Sequence, residues 1–393
     1  MSLLINNARL DGSLVDIVIE DGVYKAIVPH GEALVNKPTV AQVIDAKGLA
    51  VYPAMANMHS HAPMTLFRGL GDDQPLDRWL NDYVWPAEQQ LTDELVYQGT
   101  LCACREMLST GTSMFNDMYF RLPAMARAVE ESGIRARLGL TLFGDAPELD
   151  DPTLMEPLAY PTQRVSYSLA PHSIYTVTPN GLRRAAEACE QLHLPMHIHM
   201  SETQKEVDDC LSLHGCRPWE LLDRLGILDR LGSNIIAAHS LHLSSKEIEM
   251  IGAHHITVVH CPCSNLKLGS GYRFAMQELI EAGAQVAIGT DGSASSNNLC
   301  MLEATKIATL LQKGWRSDPT ACPADQALAL ATCGHRIAVG EVADLFLVRL
   351  NSAPDTPLAA QDSAVSDLVY ATPGTATAFT IVGGHVVYQS PNA

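Results

Sequence analysis

The chain has 393 residues, of which 47% are apolar and 18% are charged, so its composition supports a buried core and excludes a disordered chain or a coiled coil. Its formal net charge of −18 disfavours nucleic-acid polymers and membrane surfaces as partners, because both are bound through clustered Lys and Arg. The length exceeds that of one small domain and predicts two.

The first residues of the chain and the length of its apolar runs indicate where in the cell the protein is expected. No basic segment or long apolar stretch precedes Arg9 and Asp11, so the sequence does not resemble a signal peptide. No apolar run approaches the roughly 18 residues of a membrane span. We therefore expect a cytoplasmic protein.

Both ends of the chain have the alternating pattern of short strands. The pattern predicts strands over 3–9, 16–20 and 23–28 at one end, and over 344–350, 379–382 and 385–388 at the other. Asp21-Gly22 has the composition of a hairpin turn. We expect residues 1–53 and 340–393 to form one small β-sandwich domain.

Between these ends, Val- and Ile-rich runs alternate with amphipathic helical segments, which is typical of an α/β fold. One such helix is predicted between Thr92, a capping residue, and Gly111. Eight strands are predicted: 51–59, 113–117, 136–142, 165–172, 195–199, 234–239, 257–260 and 285–290. This number favours a (β/α)8 barrel over 54–339, although an open doubly wound sheet would give the same alternation.

Ionisable side chains stand at the ends of many of these strands. They are His59 with His61, His172, His199, His239 and Asp291. In a barrel all of them lie at the C-terminal face, where catalytic groups collect. His59 and His61 share one side of their strand and can bind one metal ion, although such a pair alone is weak evidence. Recurrence at strands far apart in sequence favours a functional site.

Two further observations concern possible metal ligands. Either His197 or His199 could be a ligand, and we prefer His199 because it lies nearer the strand's end and one short loop from Glu202. Three histidines and one aspartate suit Zn²⁺, and Fe²⁺ or Mn²⁺ also fit. Cys261 and Cys263 have no second thiol pair, so we interpret them as packing residues.

Longer sequence strings carry a family resemblance. They are Met58 to Gly69, Asn116 to Phe120, Ser264 to Gly271 and Gly289 to Asn298, beside the histidines and aspartate above. With them the sequence resembles the amidohydrolase superfamily of metal-dependent TIM-type barrels, and more narrowly the 5′-methylthioadenosine/S-adenosylhomocysteine deaminase group. The resemblance covers nearly the whole chain.

The resemblance implies roles for single residues. His59, His61, His199 and Asp291 would bind one divalent metal ion, most simply Zn²⁺. Glu202 and His239 would handle protons, and Asp291 would pass one to the leaving ammonia. Trp79, Glu88 and His172 would contact the nucleoside. Without the resemblance, Trp79 fits a core aromatic residue and Glu88 a solvated helix face equally well.

The implied activity is hydrolytic deamination of an aminopurine nucleoside, with release of ammonia and an inosine-type product. A single metal is expected, because binuclear barrels of this kind often bridge their ions through a lysine and none occurs between Lys47 and Lys205. Leu140 stands where relatives that act on S-adenosylhomocysteine would have an arginine, and the segment that follows is acidic. We therefore expect 5′-methylthioadenosine or adenosine to be preferred over S-adenosylhomocysteine.

Three alternatives compete with this reading. An aminohydrolase or chlorohydrolase of another heterocycle, such as guanine, a pterin or a triazine, would share the metal ligands. A cyclic-amide hydrolase would usually recruit a second metal ion. A binding protein without catalysis would have little reason to keep Glu202 and His239 beside the metal ligands. A homo-oligomer is compatible with each of them.

Overall fold

The structure is a computed structural model that describes residues 2–32, 41–350 and 364–393. The strands of these residues are β1 (Ser2–Leu10), β2 (Ser13–Glu20), β3 (Val23–Pro29), β4 (Gln42–Asp45), β5 (Ala50–Pro53), β6 (Met55–Ser60), β7 (Thr112–Tyr119), β8 (Arg135–Leu142), β9 (Val165–Pro171), β10 (Met196–Met200), β11 (Ile235–His239), β12 (Thr257–His260), β13 (Gln285–Ile288), β14 (Leu345–Val348), β15 (Thr377–Val382) and β16 (His385–Gln389).

The helices of the same residues are α1 (Leu76–Arg78), α2 (Trp85–Glu88), α3 (Asp93–Ser109), α4 (Leu122–Ser132), α5 (Pro152–Met155), α6 (Pro179–Leu192), α7 (Gln204–His214), α8 (Pro218–Arg224), α9 (Ile227–Leu231), α10 (Ser245–Ala253), α11 (Pro262–Lys267), α12 (Met276–Ala282), α13 (Met301–Arg316), α14 (Ala324–Ala331) and α15 (Ala364–Tyr370). A single π-helical turn, Trp79–Val84, joins α1 to α2.

One of the two eight-stranded sheets is a barrel of parallel strands, β6 to β13, which neighbour one another in chain order. Residues just after β13 complete the circuit: the Asp291 N–H donates to the His59 carbonyl over 2.9 Å, and the Asn57 side chain bonds Thr290. Every residue of β10 and β11 is buried, because side chains fill the barrel interior and helices cover its outside. The eight predicted strands and the barrel are confirmed.

One predicted strand boundary is wrong. The run 51–59 is divided at Ala54 into β5, which pairs with β14 of the other sheet, and β6, which pairs with β7 of the barrel. The Ala54 N–H donates to the Asp344 carbonyl over 3.1 Å at the point of division. Because the apolar run is continuous across the division, its pattern could not reveal it.

The strands from both ends of the chain form the second sheet, in the order β16-β15-β14-β5-β1-β2-β3 with β4 beside β1. Asp21 and Gly22, with φ of 50° and 80°, make the turn between β2 and β3, as predicted. The division into 1–53 with 340–393 and 54–339 stays a prediction, and residues 1, 33–40 and 351–363 of it lie outside the described residues.

Helix α3 forms where capping predicted a helix. The Thr92 hydroxyl accepts the Leu95 N–H over 3.3 Å, Asp93 and Glu94 fill the acidic first turn, and Gly111 follows with φ of 86°. Among the described residues, no helix has the length and apolar character that crossing a bilayer requires.

Candidate active site

Four side chains converge at the C-terminal face of the barrel. His59 and His61 come from the end of β6, His199 from β10, and Asp291 follows β13. The His199 Nε2 atom lies 3.2 Å from His59 Nε2 and 3.3 Å from His61 Nε2. Asp291 Oδ1 lies 3.5 Å and 3.2 Å from the same two histidine nitrogens. The four predicted ligands thus present their atoms to one point.

The donor set fits a divalent metal ion. Ligands about 2.0–2.1 Å from a tetrahedral Zn²⁺ are about 3.3–3.4 Å from one another, close to the separations found here. His61 Nδ1 donates to the Met118 carbonyl over 2.7 Å and His199 Nδ1 to the His172 carbonyl over 2.8 Å. When both rings are neutral, their Nε2 lone pairs therefore face each other, an arrangement that a cation stabilises.

The electrostatics of the cluster also favour a positive charge at its centre. Burial alone would raise the pKa of Asp291, but its contacts with His59 and His61 hold that pKa well below the ordinary range. Burial lowers the pKa of His59 to about 4, whereas the contact of His61 with Asp291 outweighs burial and raises its pKa to about 9. Asp291 thus favours one positive charge at the centre of the cluster, whereas burial disfavours protonation of several histidines at once.

His239, at the end of β11, also reaches the cluster, because one of its ring nitrogens lies within 4.8 Å of ring nitrogens of His59 and His199. The Asn265 side-chain amide donates to His239 Nδ1 over 2.9 Å, so the proton of the neutral ring lies on Nε2. That nitrogen faces Glu202 Oε2 at 3.7 Å. This tautomer suits proton exchange with Glu202 better than binding of a metal ion.

His197, which the sequence left as the alternative ligand to His199, lies behind the cluster. Its Nε2 atom is 2.9 Å from His59 Nδ1, and the ring is fully buried. A His59 that presents Nε2 to the cluster donates its Nδ1 proton to His197, which fixes the tautomer and the ring orientation. Because His197 and His199 share one face of β10, their period-two spacing was the available signal.

Glu202 follows β10 after one residue and is buried. Its Oε1 atom accepts the Ser270 hydroxyl over 3.2 Å. Burial raises the pKa of Glu202, and the nearby His239 opposes that increase. A buried carboxyl group with a raised pKa keeps its proton to higher pH than a free carboxyl group does, which suits a group that delivers a proton.

Three polar residues of the segment 264–271 were missed as functional residues. The Ser264 hydroxyl donates to Asp291 Oδ2 over 2.6 Å, while Asn265 and Ser270 make the contacts with His239 and Glu202 described above. They come from α11 and the turn after it, at the end of β12. One segment therefore orients three groups of the cluster.

Trp79, Glu88 and His172 line the same cavity as the cluster. Trp79 is buried, with its indole N–H donating to the Leu70 carbonyl over 2.9 Å, and burial raises the pKa of Glu88. Burial lowers the pKa of His172 to about 3, so this ring is neutral. The structure thus brings all three predicted substrate contacts to the site.

The cavity at the cluster is small, about 60 Å³, but two larger cavities share its lining. One of about 650 Å³ is bordered by Leu76, Trp85 and Leu268, which also line the first. The other, of about 390 Å³, shares Glu88 and Thr141 with it. A ligand larger than a heterocyclic base would extend into these neighbouring spaces.

A parallel eight-stranded barrel with three histidines and an aspartate at its C-terminal face defines the class of metal-dependent (β/α)8 barrels. The chain belongs to the amidohydrolase family, whose model matches residues 50–387.

Two curated relatives and two solved structures illustrate the similarity. The chain is 41% identical over 362 residues to a 5′-deoxyadenosine deaminase of Methanoregula boonei, covering 88% of this chain and 80% of that protein. It is 41% identical over 361 residues to 5-methylthioadenosine/S-adenosylhomocysteine deaminase 1 of Archaeoglobus fulgidus, covering 88% and 84%.

Among solved structures, a zinc-bound adenosine deaminase from Xanthomonas campestris superposes with a TM-score of 0.87 at 32% identity, over 98% of this chain and 92% of that one. The zinc complex of atrazine chlorohydrolase from Arthrobacter aurescens superposes with a TM-score of 0.85 at 20% identity, over 98% and 95%. The latter similarity concerns the fold alone.

Proposed function

We propose that the protein is a metal-dependent hydrolytic deaminase of adenine nucleosides, with a 5′-deoxy, 5′-methylthio or unmodified ribose. The observation that carries the proposal is the convergence of His59, His61, His199 and Asp291 on one point, with Glu202 and His239 in contact beside it. Relatives about 40% identical over most of the chain are named as deaminases of such nucleosides, which supports the same chemistry.

In this proposal the four converging side chains hold one divalent metal ion, most simply Zn²⁺. When bound, such an ion acts as a Lewis acid and lowers the pKa of water toward about 7, which supplies a nucleophile at neutral pH. His197, behind His59, and the carbonyls of Met118 and His172 orient the imidazoles for this task.

The side chains around the metal site would move the protons. One water oxygen forms a bond to C6 of the purine, the bond from C6 to the amino nitrogen breaks, and ammonia leaves. Glu202 would deliver a proton to ring nitrogen N1, which draws electron density from C6. His239, whose Nε2 proton faces the cluster, would polarise the attacking water. Asp291 would take one proton from this water and pass it to the departing ammonia, and the other water proton would replace the one that Glu202 delivers.

The nucleoside would lie with its base at the cluster and its ribose toward Glu88. This carboxylate borders both the 60 Å³ cavity at the cluster and the adjoining 390 Å³ cavity. Trp79 would bound the nucleoside on one side, and the neutral His172 ring would contact it as a hydrogen-bonding group. This arrangement would place the 5′ substituent in the 390 Å³ cavity.

The charges of that cavity favour an uncharged 5′ substituent. It is lined by Leu140 and Glu148, and Arg121 is the only cation among the described residues that line it. Arg121 is already paired with Asp93 over 2.5 Å. We therefore propose that a substrate ending in a carboxylate, such as S-adenosylhomocysteine, binds less well than 5′-methylthioadenosine.

A screen for ammonia release tests the proposal. The purified protein is loaded with Zn²⁺ and offered adenine nucleosides, guanine, pterins, pyrimidines and triazines. The proposal predicts release from adenine nucleosides above all others. Preferential turnover of another heterocycle would contradict it. A cytoplasmic location, the absence of a nucleic-acid partner and any homo-oligomer stay predictions.

A further inference from the structure

Glu206 is a buried carboxylate beside the site that the chemistry above does not use. It is 4% exposed and lies in the first turn of α7, three residues after Thr203, which caps that helix. This spacing is that of a capping box, in which the glutamate returns to the backbone N–H of the capping residue. The expected role of Glu206 is therefore to cap α7.

The side chain of Glu206 instead reaches past the cap. Its Oε1 atom accepts the Ser201 N–H over 2.8 Å, and its Oε2 atom accepts the Glu202 N–H over 2.8 Å. In α10 the same spacing gives the ordinary capping box, since Glu247 accepts the Ser244 N–H over 2.9 Å. Glu206 thus holds the two residues that lead from β10 into the loop.

These two residues form a sharp turn that sets the direction of Glu202. Ser201 is buried and has φ of 48°, a conformation that a serine rarely adopts. On its other side, the Ser201 carbonyl accepts the N–H groups of Leu241 and His242 over 3.0 Å and 3.1 Å. The turn is therefore held between the loop after β11 and the Glu206 carboxylate.

We propose that Glu206 is a positioning residue that fixes the Ser201–Glu202 turn so that the Glu202 carboxyl group faces His239. The proposal rests on the proposed function, in which Glu202 delivers a proton. Each of the two Glu206 carboxylate oxygens accepts a backbone N–H of the turn, so both oxygens contribute to holding it. Burial raises the pKa of Glu206 to about 8, and the backbone N–H groups of Glu202, Ser201 and Thr203 oppose that rise.

The test compares Glu206→Ala and Glu206→Gln with Glu220→Gln as a matched control. Glu220 also accepts one N–H at a helix start, that of Arg217 over 3.1 Å, but lies outside the residues that line the site. A displacement of about 1 Å in a catalytic group can cost about a hundredfold in rate. We expect kcat to fall about a hundredfold in Glu206→Ala and about tenfold in Glu206→Gln, with KM within about threefold and the metal content unchanged.

Rescue by a small carboxylate separates positioning from a general loss of structure. Glu206 borders the 650 Å³ cavity, so formate or acetate can reach the space that Glu206→Ala leaves. We expect formate, but not chloride, to raise kcat of Glu206→Ala saturably, while it does not raise kcat of the wild type or of Glu220→Gln. A kcat for Glu206→Ala equal to that of the control, or a loss of kcat that formate leaves unchanged, overturns the proposal.

Hydrogen exchange gives a readout that does not depend on activity. In the wild type the amides of Ser201 and Glu202 should be protected, and Glu206→Ala should lose this protection without loss at β10. Equal protection in both proteins would overturn the proposal. If the wild type deaminates no adenine nucleoside, the proposed function is wrong, and the amide protection still decides whether Glu206 holds the turn.

Discussion

Replacing Glu202 by glutamine isolates the proton transfer at the centre of the proposed chemistry. Glutamine has the size of glutamate, and its amide oxygen can still accept the Ser270 hydroxyl that Glu202 Oε1 accepts over 3.2 Å. The variant can neither hold a transferable proton nor exchange one with His239, whose Nε2 lies 3.7 Å from Glu202 Oε2. Packing therefore stays intact while acid–base function is removed.

The expected loss follows from the role. General acid–base groups contribute about 10²–10⁴-fold, which corresponds to about 2.7–5.5 kcal/mol in the activation barrier. We expect kcat of Glu202→Gln to fall within this range. Metal content should not change, because the converging ligand atoms belong to His59, His61, His199 and Asp291.

The assay is steady-state ammonia release from 5′-methylthioadenosine, with elemental analysis of each preparation. Glu190→Gln is a control on the exposed face of α6, where Glu190 pairs with Arg230, and it should behave as the wild type. Turnover of Glu202→Gln within about threefold of the wild type would refute the reasoning. Loss of its metal would show that Glu202 belongs to the metal site instead.

Three further predictions concern the metal ion, the substrate and pH. The pure protein should hold about one equivalent of divalent metal in the site, and chelation should abolish turnover; two equivalents, or full activity after chelation, would contradict this. A carboxylate without a free cation forgoes charge-assisted hydrogen bonds of about 1.5–3 kcal/mol each, so kcat/KM for S-adenosylhomocysteine should be roughly ten- to a hundredfold below that for 5′-methylthioadenosine. A preference for S-adenosylhomocysteine would show that a cation such as Arg121 is free to bind it. His260, stacked on Phe274 at 4.3 Å, has its pKa lowered to about 3 by burial. In the folded protein His260 stays neutral, whereas in the unfolded chain it takes up a proton below pH about 6.5. Its contribution to the free energy of unfolding is therefore complete above that pH, and it falls by about 2 kcal/mol when the pH is lowered to 5. Urea unfolding of the metal-loaded wild type and of His260→Gln, each above pH about 6.5 and at pH 5, measures this loss of stability. An equal pH dependence of the two proteins would contradict the prediction.

The barrel and the converging ligands were predictable because their signals are local. Most barrel strands are short runs rich in apolar residues, and His59, His199 and His239 stand at or near the ends of such runs. The shared face of a period-two pair also marked His59 and His61. The alternation of apolar and amphipathic segments predicted a (β/α)8 barrel, in which the C-terminal ends of all strands lie on one face.

The groups that orient the site were not predictable, because they act across the fold. Ser270 and Glu202 are 68 residues apart in sequence, and His59 and His197 are 138 apart. Glu206 has the spacing of an ordinary helix cap, but in the folded chain its carboxylate accepts the backbone N–H groups of Ser201 and Glu202. Sequence spacing identified the chemical groups, while their hydrogen-bond partners required the folded chain.

Deamination in water enriched with heavy oxygen tests the central claim most directly. The metal-loaded protein is incubated with 5′-methylthioadenosine, and the product is examined by mass spectrometry while ammonia is measured. The account predicts one ammonia per product and a 6-oxopurine nucleoside that carries one heavy oxygen on the base, with its bond to ribose intact. Release of free adenine, or an unlabelled product, would contradict it.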